Sequence, residues 1–77
     1  MNYKELIISP YYGQIAEIYI EKGSRINEGE QLFSIHTLEG NIEYISFGIY
    51  GYIHSIEVCE GEDVIPGMVL AYVQTEF

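Results

Sequence analysis

Shifted against itself by 38 positions, the chain repeats. Residues 5–35 fall on 43–73, with identities at Glu5/Glu43, Ile7/Ile45, Tyr12/Tyr50, Gly13/Gly51, Ile15/Ile53, Ile18/Ile56, Gly23/Gly61, Gly29/Gly67 and Leu32/Leu70. Ile20/Val58, Ile26/Val64 and Ile35/Val73 keep the branched aliphatic character. Glycines and aliphatics that hold register together mean one backbone unit built twice. The three glycine pairs predict the same tight turns in both copies, because glycine enters positive φ without steric cost.

Each copy reads as strand. Residues 14–20 and 52–58 are short runs rich in Ile, Val and Tyr, bounded by glycine and too brief for an ordinary helix. Residues 32–35 and 68–73 repeat the texture, while 22–30 and 60–67 are polar connections containing Pro66 and glycine at both ends. Leu38, Glu39, Gly40 and Asn41 interrupt two further runs, 31–36 and 42–46, and Gly40-Asn41 predicts a tight hairpin turn joining the halves. Two such units bury their aliphatics by packing sheet on sheet about a pseudo-twofold axis. The expectation is an all-β fold, a flattened β-barrel or sandwich, forming one domain over residues 1–77.

Charge and composition narrow the function. Three basic residues, Lys4, Lys22 and Arg25, stand against twelve acidic ones, a net charge of -9 that repels nucleic acid and anionic membrane surfaces. Apolar residues at 48%, with eight Tyr and three Phe, are too many for a disordered chain. The lone Cys59 has no internal disulfide partner, and residues 1–6 lack the basic and apolar regions of a secretory leader. A cytoplasmic location is expected.

The residues then resemble a known family. Ser9-Pro10-Tyr11-Tyr12-Gly13-Gln14-Ile15 followed by residues 18–32 resembles the first half of a biotinyl/lipoyl carrier domain. Gly51-Tyr52-Ile53 followed by residues 58–70 resembles the second half, and together they cover nearly the whole chain. The recurring order is a strand, an acidic-Gly turn, Val or Ile, a further Gly and then Leu. The resemblance implies a barrel-sandwich hybrid of two four-stranded antiparallel sheets, with the termini at the end away from the central hairpin.

One departure decides the functional expectation. The family presents a lysine at that hairpin tip, flanked by methionines in biotinyl domains or by an acidic and a small residue in lipoyl domains. Counting from Gly29 places that position at Glu39, and counting back from Gly51 places it at Gly40. The disagreement suggests a one-residue insertion between Gly40 and Tyr50. An amide-forming ligase needs an amine nucleophile, which neither residue supplies. No biotin, lipoate or other cofactor is therefore expected, and the domain reads as a degenerate member of the family. It would act as a protein-protein interaction or assembly module, accessory to a biotin- or lipoate-dependent enzyme complex.

Two alternatives stand beside that reading. One is a free-standing relative of the lipoyl-like domains of membrane-adaptor proteins, which self-associates into a homo-oligomer. The other is a carrier modified at an atypical lysine, Lys22, although Lys22 lies in a different loop from the tip.

Catalysis is not expected. His36 with Glu39, or His54 with Glu57 and Cys59, have poor spacing for a metal site, because alternate strand residues face opposite ways. Surface histidines and a partly buried thiol account for them. Asp63, the single aspartate, lacks the nucleophile elbow of a serine triad. Two features remain as candidate contact surfaces for a protein partner of unknown identity. One is aromatic, Tyr11, Tyr12, Tyr44, Phe47, Tyr50 and Tyr52, since tyrosine joins apolar area to a wettable hydroxyl. The other is the acidic turn of Glu57, Glu60, Glu62 and Asp63, a steering patch for a basic partner.

Overall fold

The computed structural model describes residues 2–48 and 50–76. Eight strands follow one another: β1 Asn2–Ile8, β2 Gly13–Ile18, β3 Arg25–Ile26, β4 Gln31–Thr37, β5 Ile42–Ser46, β6 Gly51–Ile56, β7 Asp63–Val64 and β8 Val69–Glu76. They form two four-stranded antiparallel sheets, ordered β1-β8-β6-β3 and β5-β4-β2-β7. Shifting the first order by half the chain converts it into the second. β1, β8, β6 and β3 are the counterparts of β5, β4, β2 and β7, so each sheet takes two strands from either copy and the pseudo-twofold carries one sheet onto the other. The all-β barrel-sandwich expectation is met.

The repeat extends into the irregularities. The β2–β4 register skips Ala16 and the β6–β8 register skips His54, a separation of 38. The β4–β5 and β1–β8 registers skip Leu32 and Leu70, again 38 apart. Each skip is a β-bulge, which bends its strand and raises its twist, so the two sheets curl around one core in matching ways. The short strands exchange sheets: Arg25 and Ile26 pair with Tyr52 and Gly51, and Asp63 and Val64 pair with Gln14 and Gly13.

These short strands lie within 22–30 and 60–67, which the sequence predicts to be polar connection throughout, and correct that expectation. Two residues are too few to show alternation, and their pairing is dictated by the strand across from them. β1 lies outside the runs that the sequence predicts as strand, although the repeat maps its residues 4–8 onto β5. The glycines divide into two kinds. Gly23, Gly29, Gly61 and Gly67 have φ of 78° to 89° and occupy the third position of turns closed by bonds such as Ser24 N–H to Glu21 C=O and Met68 N–H to Ile65 C=O. A positive φ confined to that position makes these type II turns, and Pro66 supplies the preferred second residue of the last. Gly13 and Gly51 have no positive φ. Their conservation between copies has a different cause, a close approach of neighbouring main chain.

Among the described residues the buried apolar core is aliphatic apart from the ring of Phe33. Phe33, Ile15, Ile26, Leu32, Ile35, Ile53, Leu70 and Val73 are sealed from solvent, with Ile7, Ile20, Ile45, Val58 and Val64 nearly so. Every residue pair that the repeat predicted as aliphatic filling is in this cluster except Ile18/Ile56, which packs against its edge. Each fully buried side chain of this size contributes about 1.5–3 kcal/mol from burial, offset largely by conformational entropy.

Candidate functional site

The hairpin between β4 and β5 is held by a dense set of short bonds. Gly40 N–H donates to the Thr37 carbonyl at 2.9 Å, Thr37 N–H to the Asn41 carbonyl at 2.8 Å, and Asn41 N–H to Thr37 Oγ1 at 3.2 Å. Gly40 sits at φ 90°. Leu38 and Glu39 are thus the two central residues of a type I turn, and Gly40 is the left-handed residue that returns the chain to β5. This corrects the expected Gly40-Asn41 turn: Gly40 ends a three-residue loop, and Asn41 closes it.

The same geometry separates the two counts for the tip. Glu39 is exposed at the crown of the turn, whereas a side chain at Gly40 is disfavoured by its backbone conformation. Of the two, Glu39 is the place where a projecting side chain is sterically welcome. The hairpin is tied down from the side by Leu38 N–H, which donates to the Tyr12 carbonyl at 3.1 Å.

β8 begins beside this end and runs away from it. Ser9 N–H donates to the Met68 carbonyl and Gly67 N–H to the Ser9 carbonyl just before β8, while at its far end Gln74 pairs with Lys4 of β1. In a body 40 Å long and 18 Å across, the strand ends Asn2 and Glu76 pair at the end opposite the hairpin. Ile49, in the stretch of the suggested insertion, lies outside the described residues.

The six aromatic residues do not gather into one surface. Tyr11 and Phe47 are half-buried and pack against the core. Tyr11 N–H is accepted by Ser9 Oγ, whose own proton goes to the Tyr11 carbonyl at 2.8 Å. Tyr12 is exposed at the hairpin end. Tyr50 and Tyr52 lie at the other end, where with Arg25, Gly51 and Gln74 they line a shallow depression of about 200 Å³. Tyr44 is on the outer side of the second sheet, its ring 6.5 Å from that of Tyr19. The repeat is the reason: residues 38 apart, such as Tyr12 and Tyr50, are carried by the pseudo-twofold to opposite ends.

Tyr19 and Ser34 are contributors that the sequence did not flag. The Tyr19 hydroxyl donates to the Oγ of buried Ser34 at 3.3 Å, and Ser34 pairs with Tyr44 across the strands. The available signal was weak, since Tyr19 has Glu57 as its counterpart and the repeat therefore marks nothing there.

The acidic turn is partly occupied with its own scaffold. Glu60 Oε2 accepts from Ile18 N–H at 3.2 Å, Glu62 Oε1 from Cys59 N–H at 3.0 Å, and Asp63 Oδ1 from Gln14 Nε2 at 3.0 Å. In the first copy Ser24 Oγ performs the service of Glu62, accepting from Glu21 N–H at 3.2 Å. Lys22 is exposed in that first turn, whose Gly23 N–H donates to the Ile53 carbonyl of β6. Cys59 is exposed, not partly buried, because it opens the second turn. Among the described residues no three His, Cys, Asp or Glu side chains come together as metal ligands, and no helix is long and apolar enough to cross a membrane.

This fold and its projecting hairpin define a barrel-sandwich domain of the kind expected from the sequence. A similar fold occurs in the crystal structure of the Kluyveromyces lactis urea carboxylase, with a TM-score of 0.84 over 92% of this chain at 20% identity. The chain spans about 6% of that protein's length. No family model and no curated protein matches the sequence.

Proposed function

We propose that the domain is an unacylated, biotinyl/lipoyl-like binding module, accessory to an enzyme complex whose true carriers bear the prosthetic group. The observation that carries this reading is Glu39 at the crown of the hairpin. A carboxylate there has no nucleophilic nitrogen and so cannot be acylated to the amide that anchors a swinging arm. The fold's likeness to a segment of a carboxylase agrees with the sequence resemblance to biotin carboxyl carriers.

Preservation of the scaffold supports a binding role over decay. Both copies keep their type II turns, their bulges and their glycine contacts, although the tip that would do chemistry has none of the required atoms. Incubation of the purified chain with a biotin ligase or a lipoate ligase, ATP and the free acid tests this. The expected outcome is no streptavidin-reactive or lipoyl-reactive product, and labelling of the unmodified sequence overturns the reading.

A further inference from the structure

The hairpin end carries exposed apolar side chains that the core does not use. Leu38 is 78% exposed, Tyr12 58%, Ile65 58% and Ile42 48%. Ile42 opens β5, and Tyr12, Leu38 and Ile65 stand in the loops next to β2, β4 and β7 of the same sheet. Leu38 is bonded through its N–H to the Tyr12 carbonyl, Ile42 stands on the other limb of the hairpin, and Ile65 follows Val64, which pairs with Gly13 next to Tyr12. Clustered exposed aliphatic residues on a chain this small mark a contact site more often than scattered ones do.

Charge identifies the occupant. Glu39 stands at the tip beside Leu38, and Asp63, held by Gln14, stands two residues before Ile65. The three cations are elsewhere: Lys4 and Arg25 are on strands of the first sheet, opposite Gln74 and Tyr52, and Lys22 is in the turn tied to Ile53 of that same sheet. The apolar patch therefore has the carboxylates of Glu39 and Asp63 at its edge, with His36 between Ile42 and Gln14, and none of the described lysine or arginine side chains beside it. A rim of one sign around an apolar centre selects a partner of the opposite sign, both by steering the encounter and by rejecting acidic surfaces.

We infer that the hairpin end, centred on Leu38, Tyr12 and Ile65, is the docking surface for a basic protein segment that carries aliphatic or aromatic anchors. The inference rests on the reading of the domain as an unmodified binding module. A second copy of this chain is a poor occupant, because net charges of -9 repel one another.

Selection of a random peptide display library on the 77-residue chain tests it. The expected peptides combine Lys or Arg with Leu, Ile or aromatic residues, and their affinity falls with added salt. Leu38→Ser and Ile65→Ser should each weaken the best selected peptide about tenfold, with backbone amide shifts changing at the hairpin end. Because these side chains are exposed, an unchanged denaturation midpoint will show that the variants fold. Peptides without basic bias, no selected peptide at all, or amide shifts confined to Arg25, Tyr50 and Tyr52 overturn the inference. Intact mass of the bait separates the two claims: an unmodified bait that selects no such peptide defeats the docking surface alone, whereas an acylated bait defeats the underlying reading.

Discussion

Gly13 lies so close to the main chain of His36 that a Cβ on it would overlap the His36 carbonyl oxygen. Its counterpart Gly51 meets Gln74 in the same way, with the carbonyl oxygen 2.7 Å from the position a Cβ would take. His36 and Gln74 are themselves 38 residues apart, so one steric constraint is written into the chain twice.

Gly13→Ala and Gly51→Ala are expected to destabilise the fold by about 2–3 kcal/mol each, since main chain must move to admit the methyl. Gly23→Ala and Gly61→Ala have open space around the added carbon and suffer only the positive-φ penalty, about 1 kcal/mol. Urea denaturation midpoints check the ranking, and equal losses at all four sites would contradict the distinction between the two kinds of glycine.

Much of this scaffold was legible because duplication doubles every signal. Ile15 and Ile53, or Gly29 and Gly67, are each ambiguous alone and become assignable when the same residue types recur at one offset. What escaped was set by partners in space. Arg25-Ile26 becomes a strand because Tyr52 and Gly51 pair with it, and the turn at Gly40 is fixed by bonds to Thr37 and Asn41 that no local pattern announces. The candidate surface was legible residue by residue and not as an arrangement, because adjacency in a repeat does not say which end of the molecule each copy reaches.

Ile15→Ala and Ile53→Ala should lose similar stability, about 2–5 kcal/mol each, as both side chains are sealed at 1% exposure in equivalent places. Phe33→Ala, which empties the centre of the core, should cost about 3–5 kcal/mol and leave little folded protein. Calorimetry or denaturant titration measures both. A large inequality between the two isoleucines would mean that the copies do not share the core evenly.

Tyr19→Phe removes the hydroxyl that serves buried Ser34 and should cost about 1 kcal/mol. Ser34→Ala in the Tyr19→Phe background should add little, because the polar group left behind is then gone. A double-mutant cycle in urea reads the coupling, and strict additivity would show that the 3.3 Å contact contributes nothing.

Glu39→Lys places an amine at the crown of the turn, where the Glu39 side chain is exposed. Stability should stay within about 0.5 kcal/mol of the unchanged chain, as read from the urea denaturation midpoint. A loss of fold on this substitution would show that Glu39 has a structural duty not visible in its contacts.

Tyr50→Ala should leave peptide binding unchanged, because Tyr50 stands at the end of the body away from Leu38 and Tyr12. Isothermal titration with a peptide selected on the unchanged chain measures this. A loss approaching that of Leu38→Ser would move the contact surface to the Arg25 end.

The most direct test of the whole account is the intact mass of the protein purified from its own host, grown with its ligases and cofactors present. The predicted mass is that of the polypeptide with no biotinyl or lipoyl addition. A stoichiometric adduct of either size, on any residue, would contradict it.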